Sequence, residues 1–214
     1  MGKCSCCGKS SPEPILLQYQ FAVKLLLLKN PNEKFNGYLS PADQMEGGKR
    51  IGMVGRTTNH SEQNECTAYV YASTQDGIPG TYVVLQFEQS TQYFFANKDN
   101  ELRLRKGKYW KTENAEDIQT TADPRVFLVK QTMVGGSSDY VFISCIASEQ
   151  KPDEKGKARV ITLLEDQEPQ KTAGLEAEGT EEAHLEAQIF HLYQYLPSDD
   201  VDPQEEKHVK RFLF

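Results

Sequence analysis

The chain has 214 residues, of which 26% are charged, and it carries a formal net charge of −7. This length is sufficient for one domain with a substantial apolar core. The longest aliphatic run, 25–28, is far shorter than the roughly 20 residues of a membrane-spanning helix, and the acidity argues against a general nucleic-acid-binding protein.

The first fourteen residues form a predicted flexible segment that begins MGKCSCC. This stretch lacks the apolar core of a secretory signal peptide, so we expect synthesis in the cytoplasm. The start is a candidate for acylation, by myristate on Gly2 and palmitate on Cys4, Cys6 and Cys7, although the motif favours Ser or Thr at position 6. Membrane association is expected only if this occurs. The alternatives are a thiolate metal or redox role, or a plain tail.

Short stretches rich in Val, Ile, Tyr and Phe recur along the rest of the chain, separated by Gly, Asn, Asp, Pro and Ser. This pattern predicts an all-β domain over residues 15–196. The predicted strands are 15–28, 36–40, 50–54, 67–73, 81–88, 92–96, 101–105, 125–131, 139–147, 158–164 and 188–195.

Two regions depart from the strand pattern. Residues 165–187 are rich in Glu, and only 174–188 favours a helix, which Gly179 interrupts. We expect this region to be an acidic insertion that is solvated or mobile. Residues 197–214 are expected to form a C-terminal tail that is first acidic and then partly apolar.

A threefold internal repeat is visible in the apolar pattern. The segments GYLSPAD, QYFFANKD and DYVFISC contain Tyr38, Tyr93 and Tyr140, and each precedes an alternating segment and then a further strand. One such unit cannot bury its apolar face alone, whereas three units around a common axis can close a small barrel without exposed strand edges. The sequence therefore predicts a β-trefoil of three imperfect four-strand repeats.

Residue patterns typical of enzymes are missing from the sequence. The four histidines, His60, His184, His191 and His208, have no metal-ligand spacing. The glycine pairs at 47–48 and 135–136 are typical of hairpin turns rather than phosphate-binding loops, and no serine lies in a G-x-S-x-G motif. We expect no catalytic activity, no metal site and no cofactor.

A basic cluster follows the second tyrosine of the repeat. Its members are Arg103, Arg105, Lys106, Lys108 and Lys111, with Trp110 beside them. Converging positive charge favours a contact with a sulphated glycan, a phosphoinositide or an acidic receptor. The alternative is the solvated face of a strand whose Leu102 and Leu104 point inward. We treat Arg103, Arg105, Lys106, Lys108, Trp110 and Lys111 as a candidate partner-binding patch.

The stretch TAYVYASTQDGIPGTYVVLQFEQSTQYFFANKDNELRLRKGK, together with PRVFLVKQT and DYVFISCIAS, resembles the interleukin-1 family of β-trefoil cytokines. The resemblance is greatest to the branches of interleukin-18 and interleukin-33. It implies a monomeric cytokine, made in the cytoplasm and released without a signal peptide, that binds a receptor with immunoglobulin-like ectodomains and triggers inflammatory signalling.

Proteolytic maturation is also typical of this family. The nearest position for cleavage after an aspartate is Asp43, but such a cut would remove the first predicted strand, so an unprocessed or differently cut form is equally consistent. Two alternatives stay open: a heparin-binding factor similar to fibroblast growth factors, and an intracellular trefoil interaction protein, lipid-anchored if acylated.

Overall fold

The structure is a computed structural model, and it describes residues 16–75, 78–99, 101–107, 123–134, 137–144, 158–165, 172–179, 186–195 and 206–208. These residues confirm the prediction of an all-β protein. The strands, in chain order, are β1 (Gln18–Asn30), β2 (Gly37–Glu46), β3 (Lys49–Thr57), β4 (Cys66–Gln75), β5 (Ile78–Phe87), β6 (Gln92–Ala96), β7 (Leu102–Lys106), β8 (Val126–Val134), β9 (Ser137–Ser144), β10 (Arg159–Leu163), β11 (Ala173–Ala177), β12 (His191–Tyr195) and β13 (Glu206–His208).

Six of these strands form a closed antiparallel ring, in the order β1, β4, β5, β8, β9, β12 and back to β1. In the described part of the chain, a single bridge closes the ring: Tyr140 of β9 and Phe190, the residue directly before β12, exchange two backbone hydrogen bonds of 3.0 and 2.9 Å. The Nε2 of His191 lies 2.7 Å from the Oδ1 of Asp139 beside this junction. Each ring strand is thereby paired along part of its length on both sides.

Three hairpins, β2–β3, β6–β7 and β10–β11, connect successive ring strands. They also contact one another, because Gly52 of β3 pairs with Leu104 of β7, and Gly55 of β3 bridges Thr172 beside β11. A Cβ added to Gly52 would lie 2.7 Å from the carbonyl oxygen of Leu104. This close backbone approach requires glycine.

Side chains from alternate positions of the ring strands enter two apolar clusters. In β4, Ala68 and Val70 belong to the main core, whereas Tyr69 and Tyr71 belong to a second cluster on the opposite face. Successive residues point to opposite faces of a strand, so burial on both faces explains why β4 reads as a nearly continuous apolar run.

Strand β11 lies inside the region 165–187 that was predicted to be a solvated insertion, and that prediction is wrong for residues 173–177. Ala173–Ala177 pairs with β10 along its whole length, and Ala173 and Leu175 are buried. Glu206–His208, within the predicted tail, pairs with β12 as β13.

The third copy of the sequence repeat was misaligned. Tyr38 and Tyr93 lie on β2 and β6, which are the first strands of hairpins, but Tyr140 lies on the ring strand β9. The third hairpin is β10–β11, and its first strand carries no tyrosine. Tyr140 is fully buried beside the bridge to Phe190, so core packing rather than the repeat explains a tyrosine at this position.

Candidate functional site: a basic cleft beside the second hairpin

An open cleft of about 420 Å³ lies between the β6–β7 hairpin and the residues that lead into β8. We call it the basic cleft. The described residues that line it are Tyr93, Phe95, Arg105, Lys106, Gly107, Asp123, Pro124 and Arg125. Its volume falls within the range of small-ligand pockets.

The hairpin supplies the aromatic side of the basic cleft. Tyr93 and Phe95 alternate with buried Phe94 along β6, so they lie on the face opposite the main core. A Cβ added to Gly107 would lie 2.5 Å from the Cε2 of Tyr93. The main chain at Gly107 therefore passes against the tyrosine ring, and a larger residue there would displace the ring or the chain.

Asp123 and Arg125 form a two-pronged ion pair at the other side of the cleft. The Nε and Nη2 of Arg125 lie 2.9 and 2.6 Å from the two carboxylate oxygens of Asp123. Burial tends to raise the pKa of Asp123, but the hydrogen bonds from Arg125 outweigh it and lower that pKa below its ordinary value. Neither residue was predicted as part of a site, although the Asp-x-Arg spacing before a strand was visible in the sequence.

The structure separates the predicted basic patch into two parts. Arg105 and Lys106 are exposed and line the cleft. Arg103 is only 12% exposed and lies elsewhere: its Nη2 is 2.6 Å from Glu101 and 3.9 Å from Glu46, and its guanidinium also contacts Met53. The charge of Arg103 is compensated within the hairpins, so Arg105 and Lys106 are the described members of the predicted patch that line the cleft.

The remaining predicted site residues lie apart from the cleft or outside the described residues. Lys108, Trp110 and Lys111 of the patch are outside them, as are the acylation candidates Gly2, Cys4, Cys6 and Cys7. Asp43 lies within β2, where it pairs with Gly52, and its Oδ2 is 2.5 Å from the Nη2 of Arg50.

A second cleft occupies the corresponding place beside the third hairpin. It has a volume of about 470 Å³ and lies between β10–β11 and the residues that lead into β12. Glu165, Glu176 and Glu186 line it, and among its described lining residues Lys34 is the one cation, paired with Glu165. The two clefts therefore share a position but have opposite charge.

Neither a metal centre nor a membrane-spanning helix is found in the part of the chain that the structure describes. No cluster of three or more His, Cys, Asp or Glu side chains there has the arrangement of a metal site. No described helix has both the length and the apolar character to cross a bilayer. His191 contacts the carboxylate of Asp139 and the hydroxyl of Tyr193, at 2.7 and 3.4 Å.

Comparison with known proteins gives little information on this chain. No protein-family model matches it, and no curated protein matches it. Among solved structures, one match is the S. cerevisiae protein O-mannosyltransferase Pmt1-Pmt2 complex bound to the sugar donor, with a TM-score of 0.49 and 9% identity. The alignment covers 97% of this chain but 29% of that chain. A likeness at this level carries no argument about function.

Proposed function

We propose that the ring and its hairpins form a β-trefoil, with β1–β4, β5–β8 and β9–β12 as the three repeats. A backbone hydrogen bond at the same place in the second and third repeats supports this proposal. The N–H of Ala96, the last residue of β6, donates to the carbonyl of Pro124 at 2.8 Å. The N–H of Leu163, the last residue of β10, donates to Ala187 at 2.9 Å. Each bond joins a hairpin to the segment that enters the last strand of its repeat.

We propose further that the chain is a cytokine of the interleukin-1 type, which binds a receptor with immunoglobulin-like ectodomains and triggers immune signalling. The observation that carries this proposal is that the segments resembling the interleukin-1 family coincide with consecutive strands of the structure. The stretch 67–108 spans β4 to β7, residues 124–132 span most of β8, and residues 139–148 cover most of β9. The resemblance thus follows consecutive strands through one complete hairpin and four strands of the ring.

On this proposal the function is recognition by a folded surface. The chain acts as a monomer, is made in the cytoplasm and is released without a signal peptide, as the resemblance implies. The basic cleft is a concave feature beside the resembling strands, and Arg is favoured as an anchor residue in protein interfaces. Arg105 therefore becomes the first residue to examine in a receptor complex.

A binding assay tests the proposal directly. The purified full chain is passed over immobilised ectodomains of the interleukin-1 receptor family, with an unrelated immunoglobulin-like ectodomain as control, and cells that carry the responding receptor are assayed with a signalling reporter. We expect saturable binding to one family member and signalling that requires it. No binding to any member at micromolar concentration would overturn the proposal. Retention on heparin at physiological salt, lost on R105A/K106A substitution, would favour the growth-factor alternative.

A further inference from the structure

We propose that the basic cleft is a binding site for an acidic peptide segment of a protein partner, with an apolar side chain of that segment against Phe95 and Pro124 and its carboxylates on Arg105 and Lys106. The proposal rests on the geometry of the cleft and does not require the cytokine function. It commits to a peptide rather than a glycan or a lipid headgroup because of how charge and apolar surface are distributed.

The first argument is uncompensated charge. Arg125 is neutralised by Asp123, and Arg103 by Glu101 and Glu46, whereas Arg105 and Lys106 have no ion pair among the residues that the structure describes. The whole chain has a net charge of −7, so two exposed cations with no ion-pair partner among the described residues form a local patch of opposite charge at the cleft. Such a patch attracts acidic groups and steers them to the site.

The second argument is the apolar side of the cleft. The rings of Tyr93, Phe95 and Pro124 line it beside the two cations. Tyr93 is only 3% exposed and packs in the second apolar cluster, so it supports this side of the cleft from behind, and half-buried Phe95 and Pro124 present the apolar surface. An apolar wall next to charged groups is the combination that anchors one apolar side chain of a partner and fixes its orientation.

The third argument separates a peptide from a polyanion. Sulphated glycans present a dense row of charges and gain affinity from many cations, but the described lining of the cleft offers two exposed cations, Arg105 and Lys106, because Arg125 is paired with Asp123. A peptide that combines one or two carboxylates with an apolar residue matches two cations beside an apolar wall, whereas most charges of a polyanion would find no partner among the described residues of the cleft.

The acidic cleft lies at a similar place beside the third hairpin and carries the opposite charge. Glu176 is exposed there, at the place on β11 that broadly corresponds to the cations of β7. The acidic cleft therefore provides a matched control within the same molecule.

The test uses the purified full chain and a random hexapeptide display library, without any receptor. Selected sequences are synthesised with a fluorescein label, and their binding is measured by fluorescence anisotropy. We expect enrichment of peptides that combine acidic residues with one large apolar residue. The variant R105Q/K106Q should weaken their binding by at least about tenfold, whereas E176Q and R50Q should leave it unchanged. Melting temperatures establish that each variant is folded, which is expected because both cations are exposed.

Three outcomes would overturn the proposal: failure of the library to yield acidic–apolar sequences, equal binding of the selected peptides to R105Q/K106Q, and equal binding of peptides whose apolar residue is replaced by Ser. Stronger binding of a heparin oligosaccharide or of phosphoinositide vesicles than of any peptide, lost in the same variant, would assign the cleft to a polyanion instead. Because no receptor is present, a failure here is distinct from a failure of the cytokine proposal.

Discussion

The carboxylate of Glu88 accepts a hydrogen bond of 2.8 Å from the backbone N–H of Leu25, which lies 63 residues earlier in the chain. The same Oε1 accepts a second hydrogen bond of 2.8 Å from the hydroxyl of Thr67. Leu25 has a φ of +54°, in the left-handed region that non-glycine residues rarely adopt, at the bulge where β1 loses register with β4. Glu88, which directly follows β5, thus links the strained bulge of β1 to Thr67 of β4.

Replacing Glu88 with Ala should lower the free energy of unfolding by about 2 kcal/mol, because the N–H of Leu25 and the hydroxyl of Thr67 lose their acceptor. The E88Q variant keeps a carbonyl acceptor and should lose less. Urea denaturation of the three proteins measures the effect. A free energy for E88A within 0.5 kcal/mol of the original would show that water replaces the carboxylate without cost.

Gly52 offers a test of the contact between hairpins. Its replacement by Ala places a Cβ 2.7 Å from the backbone oxygen of Leu104, so β3 and β7 must separate, and we expect destabilisation by about 1–3 kcal/mol. The control is G47A at the hairpin tip, where no atom lies within 4 Å and only the positive φ opposes the change; the expected loss there is about 1 kcal/mol. Thermal unfolding compares the two, and equal losses would argue against a tight hairpin contact.

The strand pattern could be read from the sequence because β-branched and aromatic residues mark the ring. Each of the eleven predicted strands overlaps an observed one, and 92–96 coincides with β6. Strand β11 was missed because its sequence, AGLEA, has few β-favouring residues and lies among glutamates. Its place is set by pairing with β10 and by the burial of Leu175, which are tertiary effects that local composition does not encode.

The site was predictable only in part for a similar reason. Alternation along β7 placed Leu102 and Leu104 inside, as observed, but it did not reveal that Arg103 would reach Glu46 on a neighbouring hairpin. The contribution of Asp123 and Arg125 depends on where the chain returns to the sheet before β8. Such proximity arises from topology rather than from residue type.

The ion pair of Asp123 and Arg125 should make stability depend on pH in the acid range. The folded pKa of Asp123 lies below its ordinary value of 3.8, so the stabilisation is fully present above that value and is lost as the pH falls through the folded pKa. At pH 7, D123N should be less stable by about 1 kcal/mol, and the difference should vanish in strong acid. Unfolding curves from pH 7 to pH 2 measure this, with D99N at an exposed acid as the control. A difference that persists unchanged in acid would contradict the ion-pair account.

Cys66 should be chemically protected in the native protein. Its side chain is fully buried, and burial together with the charges of Glu88 and Glu65 raises the pKa of its thiol well above the ordinary value. Because the thiolate is the reactive form, iodoacetamide at pH 8 should modify Cys66 in urea but not in native buffer. Mass spectrometry of the peptide that contains Cys66 separates it from the other cysteines. Equal labelling in both conditions would mean that the β4–β5 region opens readily.

Cleavage after Asp43 should destroy the fold rather than mature it. Such a cut removes β1, which pairs with β2, β4 and β12, and it removes Leu26, Leu27 and Leu28, each at most 1% exposed. Full burial of one such side chain contributes about 2 kcal/mol, so the loss of three, together with a strand of the closed ring, exceeds the stability of a typical domain of this size. A chain that starts at Gln44 should therefore lack a cooperative thermal transition in circular dichroism, whereas one that starts at Leu16 keeps all of β1 and should melt like the full chain. A cooperative transition in the shorter chain would show that the ring closes without β1, and would restore Asp43 as a processing site.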